Sequence, residues 1–326
     1  MKILATDDDP IILELLTEVL RAAGYANLTA CTSASEALNA IEAAQTPFDC
    51  FLLDIQMPDV DGIELTSAIR QKPDYTETPI LMITAMCDRS YIDKAFAAGA
   101  SDYITKPFEI GEVHARLRVI ESLVNERKWK EDRNPVSGGQ EPLAMVNDGT
   151  FEKRLNLSEI DGFIDYLALE NYIMQISRVS LLGMYTVGIA VRDMRRTFAA
   201  SSVYEYEAAV SDVAEAMSDT LKPHHFFAAH AGEGEFVCVL GDGRNFDAED
   251  FEKALSETLR EMDLHFCDGR PMNLQIAVGD PLSLKMKASK SLPNVLVQAV
   301  ANAETVAQAG RDQKEEKWGK MSLFGL

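Results

Sequence analysis

What this 326-residue chain lacks narrows its class before any motif is read. No apolar run approaches the ~18 residues that a membrane span needs. The opening, M-K-I-L-A-T-D-D-D, turns acidic too early for a secretory leader. Basic residues are few: 31 Lys and Arg stand against 52 Asp and Glu, a net charge of −21. That balance argues against nucleic acid or anionic lipid as partners, because phosphate binding depends on clustered Lys and Arg. No basic recognition helix is visible either. Cysteines Cys31, Cys50, Cys87, Cys238 and Cys267 are odd in number and scattered, with no C-x-x-C, as expected of reduced thiols in a cytoplasmic protein. His224, His225 and His230 have no Cys or further ligand at metal-site spacing. What is present, 47% hydrophobic and 25% charged residues, suits a soluble globular chain long enough for two cores.

In the first 125 residues, short apolar segments alternate with helical patterns, which predicts βαβ units and a parallel sheet. Strands are expected near Lys2–Thr6, Asn27–Thr32, Cys50–Leu53, Pro79–Thr84 and Ser101–Ile104, with helices near 10–23, 34–44, 62–72 and 88–98 and a fifth from about 110. Asp9 can cap the first helix, with Pro10 in its first turn and Gly24 closing it. The expected fold class is α/β, a flavodoxin-like, doubly wound, parallel five-stranded sheet. Open sheets of this kind place ligands at the carboxyl ends of their strands. Those ends carry Asp7, Asp8 and Asp9, then Asp54, Thr84 and Lys106. Two carboxylates 4 Å apart repel by roughly 4 kcal/mol at an effective dielectric of 20. Asp7, Asp8 and Asp54 together therefore call for a cation, and hard oxygen ligands suit Mg²⁺. Lys106 and Thr84 would hold phosphoryl oxygens while the Asp54 carboxylate attacks phosphorus. As solvated loop acids and caps, these residues would need no such convergence.

Four segments resemble a response-regulator receiver domain: the acid pair Asp7-Asp8, D-x-x-M-P-x-x-D-G from Asp54 to Gly62, Thr84-Ala85, and D-Y-I-T-K-P-F from Asp102 to Phe108. The resemblance implies that a histidine kinase phosphorylates Asp54. It implies Asp7, Asp8, Asp54 and the Gln56 backbone carbonyl as metal ligands, and Thr84, Ala85 and Lys106 around the phosphoryl group. It also implies a switch of Thr84 and Tyr103, and a cis peptide at Lys106-Pro107.

The fifth helix should run on through Lys130, with an apolar stripe of Val113, Leu117, Ile120 and Val124, until E-D-R-N-P-V-S-G-G-Q-E-P stops it. A helix leaving the first domain could carry a signal or form a homodimer. The expected organisation is a receiver at 1–125, an extension and linker at 126–149, a second domain at 150–312 and a disordered or docking tail at 313–326, which holds Trp318, Leu323, Phe324 and Leu326. The second domain reads α-β-α-β-β-α-β-α: a long helical region at 151–180, the strand M-Y-T-V-G-I-A-V, a helix near 204–221, a hairpin, a helix near 247–262, the strand N-L-Q-I-A-V-G and a helix to Gln308. That order suggests an α+β, cyclase- or palm-like domain.

Its hairpin turn, Gly232-Glu233-Gly234-Glu235-Phe236, resembles the G-G-[DE]-E-F turn of diguanylate cyclases. Leu169-Glu170-Asn171 and Gly310-Arg311-Asp312 resemble two further motifs of that family. The departures are large. Val191 and Gly234 fall where the family has its metal carboxylates, Glu233 replaces a glycine, and Ala199 stands in place of an Asn on guanine. Lys222-Pro223-His224-His225 replaces the product-inhibition motif. Losing two metal carboxylates should abolish catalysis. The chain is thus expected to be a phosphorylation switch, not an enzyme, acting on a downstream protein. Residual cyclase activity, with Glu233 and Glu235 as another metal pair, and a module sensing GTP or cyclic di-GMP are the alternatives.

Overall fold

The computed structural model describes all residues except 86–88, 134–147, 242–245, 286–290 and 324–326. The chain divides into two compact units, Met1–Gln140 and Glu141–Leu326. Cys87, linker residues 134–147, Phe324 and Leu326 lie outside the described residues.

The first unit alternates β1 (Lys2–Thr6), α1 (Pro10–Ala22), β2 (Asn27–Cys31), α2 (Ala34–Glu42), β3 (Cys50–Asp54), α3 (Gly62–Arg70), β4 (Ile80–Thr84), α4 (Arg89–Ala97), β5 (Asp102–Thr105) and α5 (Ile110–Arg133). All strand pairs are parallel, in the order β2-β1-β3-β4-β5. This is the expected five-stranded flavodoxin-like sheet. Strand β3 lies in its middle and is buried throughout, which is why Cys50–Leu53 is apolar on both faces. Asp9 caps α1 by accepting from the Ile11 amide, and Asp61 and Glu64 form a reciprocal capping box on α3. The stripe Val113, Leu117, Ile120 and Val124 packs α5 onto β1, β3 and β4.

The second unit contains α6 (Asp148–Phe151), α7 (Tyr166–Gln175), β6 (Tyr185–Arg192), α8 (Met194–Ala199), α9 (Val203–Leu221), β7 (Phe226–Gly232), β8 (Glu235–Leu240), α10 (Ala248–Glu261), β9 (Gln275–Val278), β10 (Leu282–Ser283) and α11 (Leu292–Leu323). The named strands pair antiparallel: β7 with β8, β8 with β6, and β6 on its other edge with β9 and β10. The run β6-α9-β7-β8-α10-β9 is therefore a split βαβ arrangement. Val187, Ile189 and Val191 of β6 share a core with α9 and α10. On the other face, a Cβ at Gly188 would lie 2.0 Å from the Ala299 carbonyl oxygen, so α11 rests directly on strand backbone.

Three expectations need correction. Residues 151–180 do not form a long helix. Gly162 has φ +79, and a Cβ there would lie 2.3 Å from the Phe226 ring. The chain at that point pairs with β7, through Ala228 N–H to Gly162 O and Ile164 N–H to Ala228 O. Helix α8 and the two-residue strand β10 were not anticipated. The final helix does not stop at Gln308 but continues to Leu323, through the expected G-R-D closure and into the expected disordered tail. The residues flanking Gly310, Ala307-Gln308-Ala309 and Gln313-Lys314-Glu315-Glu316, are good helix formers that offset the ~1 kcal/mol cost of one glycine.

Candidate functional site

At the carboxyl end of the first sheet, β1 delivers Asp7, β3 delivers Asp54 and β5 delivers Lys106. The two aspartates are buried, at 1% and 4% exposure, while Asp8 is exposed. Ligand oxygens of Asp7, Asp8 and Asp54 all lie within 4.8 Å of one another. Lys106 Nζ sits between the two buried acids, 2.7 Å from Asp7 Oδ2 and 3.1 Å from Asp54 Oδ1. Burial would depress the ammonium pKa, but hydrogen bonding and attraction from Asp7 and Asp54 prevail and raise it, so Lys106 stays charged. Burial, aided by repulsion from Asp7, raises the Asp54 carboxyl above its ordinary value against the pull of Lys106 and the Gln56 backbone N–H.

Backbone contacts hold this geometry. The Asp9 amide donates to Asp7 Oδ1 at 3.0 Å, and the Lys106 amide to the Thr84 carbonyl at 2.6 Å. The Lys106-Pro107 peptide is cis. Gly62 N–H donates to Ile55 O at 2.9 Å, and a Cβ on Gly62 would lie 2.0 Å from the Asp54 carbonyl oxygen. Only glycine allows the start of α3 to lie so close to the backbone of Asp54. The D-G pair was visible in the sequence, yet its tie to Asp54 was not, because the contact spans a loop. Thr84 is buried at the end of β4, with Ala85 exposed beside it. The Tyr103 ring is buried and meets Phe96 edge-on, centroids 6.2 Å apart.

Three carboxylates against one ammonium leave excess negative charge on hard oxygen atoms, a donor set that fits a divalent cation. Among the described residues, these acids are the one group of three or more His, Cys, Asp or Glu side chains placed to hold a metal. The family model of the response regulator receiver domain matches residues 3–118. Residues 3–118 are a response regulator receiver domain. A putative response regulator from Chloroflexus aurantiacus J-10-fl, whose structure is known, is 39% identical over 36% of this chain and 95% of that chain, with a TM-score of 0.35. The transcriptional regulatory protein KdpE of Staphylococcus aureus is 41% identical over 122 residues, covering 37% of this chain and 50% of the relative. The signal transduction histidine-protein kinase BarA of Escherichia coli K12 is 38% identical over 117 residues, covering 36% of this chain and 12% of that protein. This chain thus spans half or less of the length of both curated relatives.

Beyond the receiver, the hairpin turn between β7 and β8 is filled by the chain itself. Val191 is a core residue, 6% exposed, whose amide donates to Gly234 O at 3.0 Å. Gly234 has φ +76, and a Cβ there would lie 2.3 Å from Met194 Cγ. Gly232 has φ +101, and a Cβ there would lie 2.7 Å from the Glu152 carbonyl oxygen. Glu233 occupies the left-handed region at φ 55, and its amide donates to Phe151 O at 2.9 Å. Glu235 is half-buried on β8, and burial with repulsion from Glu304 and Glu233 pushes its carboxyl up to about 7. Phe236 is buried against Phe163 and His230. Ala199 is exposed at the end of α8, and Lys222 pairs with Asp219 at 2.6 Å. The sequence reading missed Phe151 and Met194, ordinary apolar residues that only the fold brings to this turn.

Proposed function

We propose that this protein is a two-component response regulator whose Asp54 accepts a phosphoryl group from a histidine kinase. The observation that carries the reading is Lys106 bridging the Asp7 and Asp54 carboxylates at 2.7 and 3.1 Å. An Asp54 oxygen attacks the phosphorus of a phosphohistidine; the P–O bond forms as the P–N bond breaks, and the imidazole leaves with the electron pair. Lys106 holds a point charge where the transferred oxygens arrive, and Thr84 supplies a hydroxyl at the neighbouring strand end. Asp7, Asp8, Asp54 and the Gln56 carbonyl would hold Mg²⁺, which when bound supplies charge neutralisation to the incoming phosphoryl oxygens. The names of the relatives, a transcriptional regulator and a histidine-protein kinase, support a kinase as donor.

The second unit acts without catalysis in this reading, through contacts with a downstream protein. Val191 and Gly234 offer no carboxylate, and Met194 and Glu152 fill the space beside the turn's glycines. That filling argues against both a residual cyclase and a nucleotide sensor. The acidic balance argues against nucleic acid, and no helix among the described residues is long and apolar enough to cross a membrane. The test is direct. With Mg²⁺ and acetyl phosphate, intact-mass spectrometry should show one added phosphoryl group, absent from Asp54→Asn; equal labelling of that variant refutes the assignment.

A further inference from the structure

The first residues of the second unit close its hairpin turn. Phe151 is 2% exposed, its ring centroid 4.9 Å from Phe198 and 5.8 Å from Tyr206, with the Arg195 guanidinium 4.9 Å from its ring centre. Its carbonyl accepts from the Glu233 amide at 2.9 Å and from Tyr206 Oη at 3.4 Å. One residue on, the Glu152 carbonyl lies where a side chain on Gly232 would be. Four residues on, the Leu155 amide donates to Nδ1 of His230, a ring 1% exposed whose Nε2 has no hydrogen-bond partner among the described residues. Burial, with the nearby Arg154 charge, lowers the His230 pKa to about 3, so the ring is neutral and Nδ1 can accept.

This segment therefore differs from the sheet it covers. No strand ladder holds residues 151–155 in place; the Phe151 ring, the Arg154 guanidinium 3.7 Å from the Tyr166 ring centre, the Leu155 side chain against the core and a few hydrogen bonds do. A segment held by a few side chains and hydrogen bonds, outside the ladder of the sheet, can open by itself while the sheet stays closed.

We propose that residues 148–155 are a releasable latch masking a peptide-binding surface at the hairpin turn. Release bares an aromatic slot of Phe198 and Tyr206, the Arg195 guanidinium, the Glu233 amide and the His230 Nδ1 acceptor. The partner this surface fits is a protein segment of the latch's own chemistry. It presents an aromatic side chain whose carbonyl meets Glu233, and an amide four residues later for His230. The output would then be a contact made by exchange of a segment in cis for one in trans, with no reaction at the turn.

Amide hydrogen exchange on the full chain tests this. The Leu155 and Glu233 amides should exchange together and at least about tenfold faster than Val237 and Val239 of the central strand β8. Equal rates would mean that the segment opens only with the whole unit, and would overturn the latch. Phe151→Ala should speed the first pair and leave β8 unchanged; should that variant unfold, Phe151→Leu should give a smaller change in the same direction, and no change in either sinks the idea. A synthetic peptide of residues 148–156 should restore protection at Glu233 in the Phe151 variant, whereas its Phe→Ala analogue should not; failure of the first peptide removes the binding surface.

Discussion

Two turns in this molecule rely on glycine for a close approach, and they end in opposite chemistry. In the receiver, Gly62 admits the Asp54 carbonyl and leaves the acid side chains gathered around Lys106. In the hairpin of the second unit, Gly232 and Gly234 admit the Glu152 backbone and the Met194 side chain, and the space is used up. A glycine-rich turn therefore announces that something approaches closely, without saying what. The approaching group decides whether the turn is a site or a packing contact.

The comparison can be broken most severely at Gly62. Gly62→Ala puts a methyl against backbone that cannot yield, and should cost about 3 kcal/mol in urea unfolding while slowing phosphoryl uptake. A fully stable, fully active variant would show that the approach is dispensable. Gly234→Asp places a carboxylate at the hairpin, but at φ +76 and against Met194 it should lose about 2 kcal/mol and yield no product from GTP. Cyclic di-GMP formation by that variant would mean that the filled turn can still take nucleotide.

Two further tests use pH. His230 is depressed to about 3 in the folded state from an ordinary 6.5, so its neutral form favours folding above pH 6.5 and that contribution is lost as pH falls toward 3. Between pH 7 and 5 the second unit should lose about 2 kcal/mol, a loss that a neutral replacement, His230→Gln, should flatten. Glu235 behaves in the reverse sense. Raised to about 7, it is easily accommodated when protonated, so stability present below about pH 4.5 is lost as pH rises through 7. Glu235→Gln should gain about 1 kcal/mol at pH 8 and nothing near pH 4.5, read from thermal melts at both values; solvent screening of this half-buried group keeps the gain small.

Much of the receiver was legible in the sequence because its signals are local. Apolar runs of four or five residues mark strands buried on both faces, and Asp9-Pro10 and Asp61-Gly62 mark helix starts. The second unit was harder to read. The periodicity of residues 151–180 suggested a helix because the pairing of Gly162–Ile164 with β7 lies more than sixty residues away in sequence. Helix α8 is six residues long, too short for a pattern to show. Helix α11 runs past the expected end at Gln308 because the helix formers around Gly310 carry it through the glycine.

By itself, the sequence determined the βαβ order of the receiver, the strand ends that carry Asp7, Asp54 and Lys106, and the want of a carboxylate at Val191 and Gly234. These follow from residue type and short-range pattern, which the chain encodes directly. Only the tertiary structure decided that Lys106 lies between two buried carboxylates, that Gly62 touches the Asp54 carbonyl, and that Phe151 and Met194 occupy the hairpin turn. Each of those contacts joins residues distant in sequence, and long-range packing leaves no periodic trace in the segments that make it.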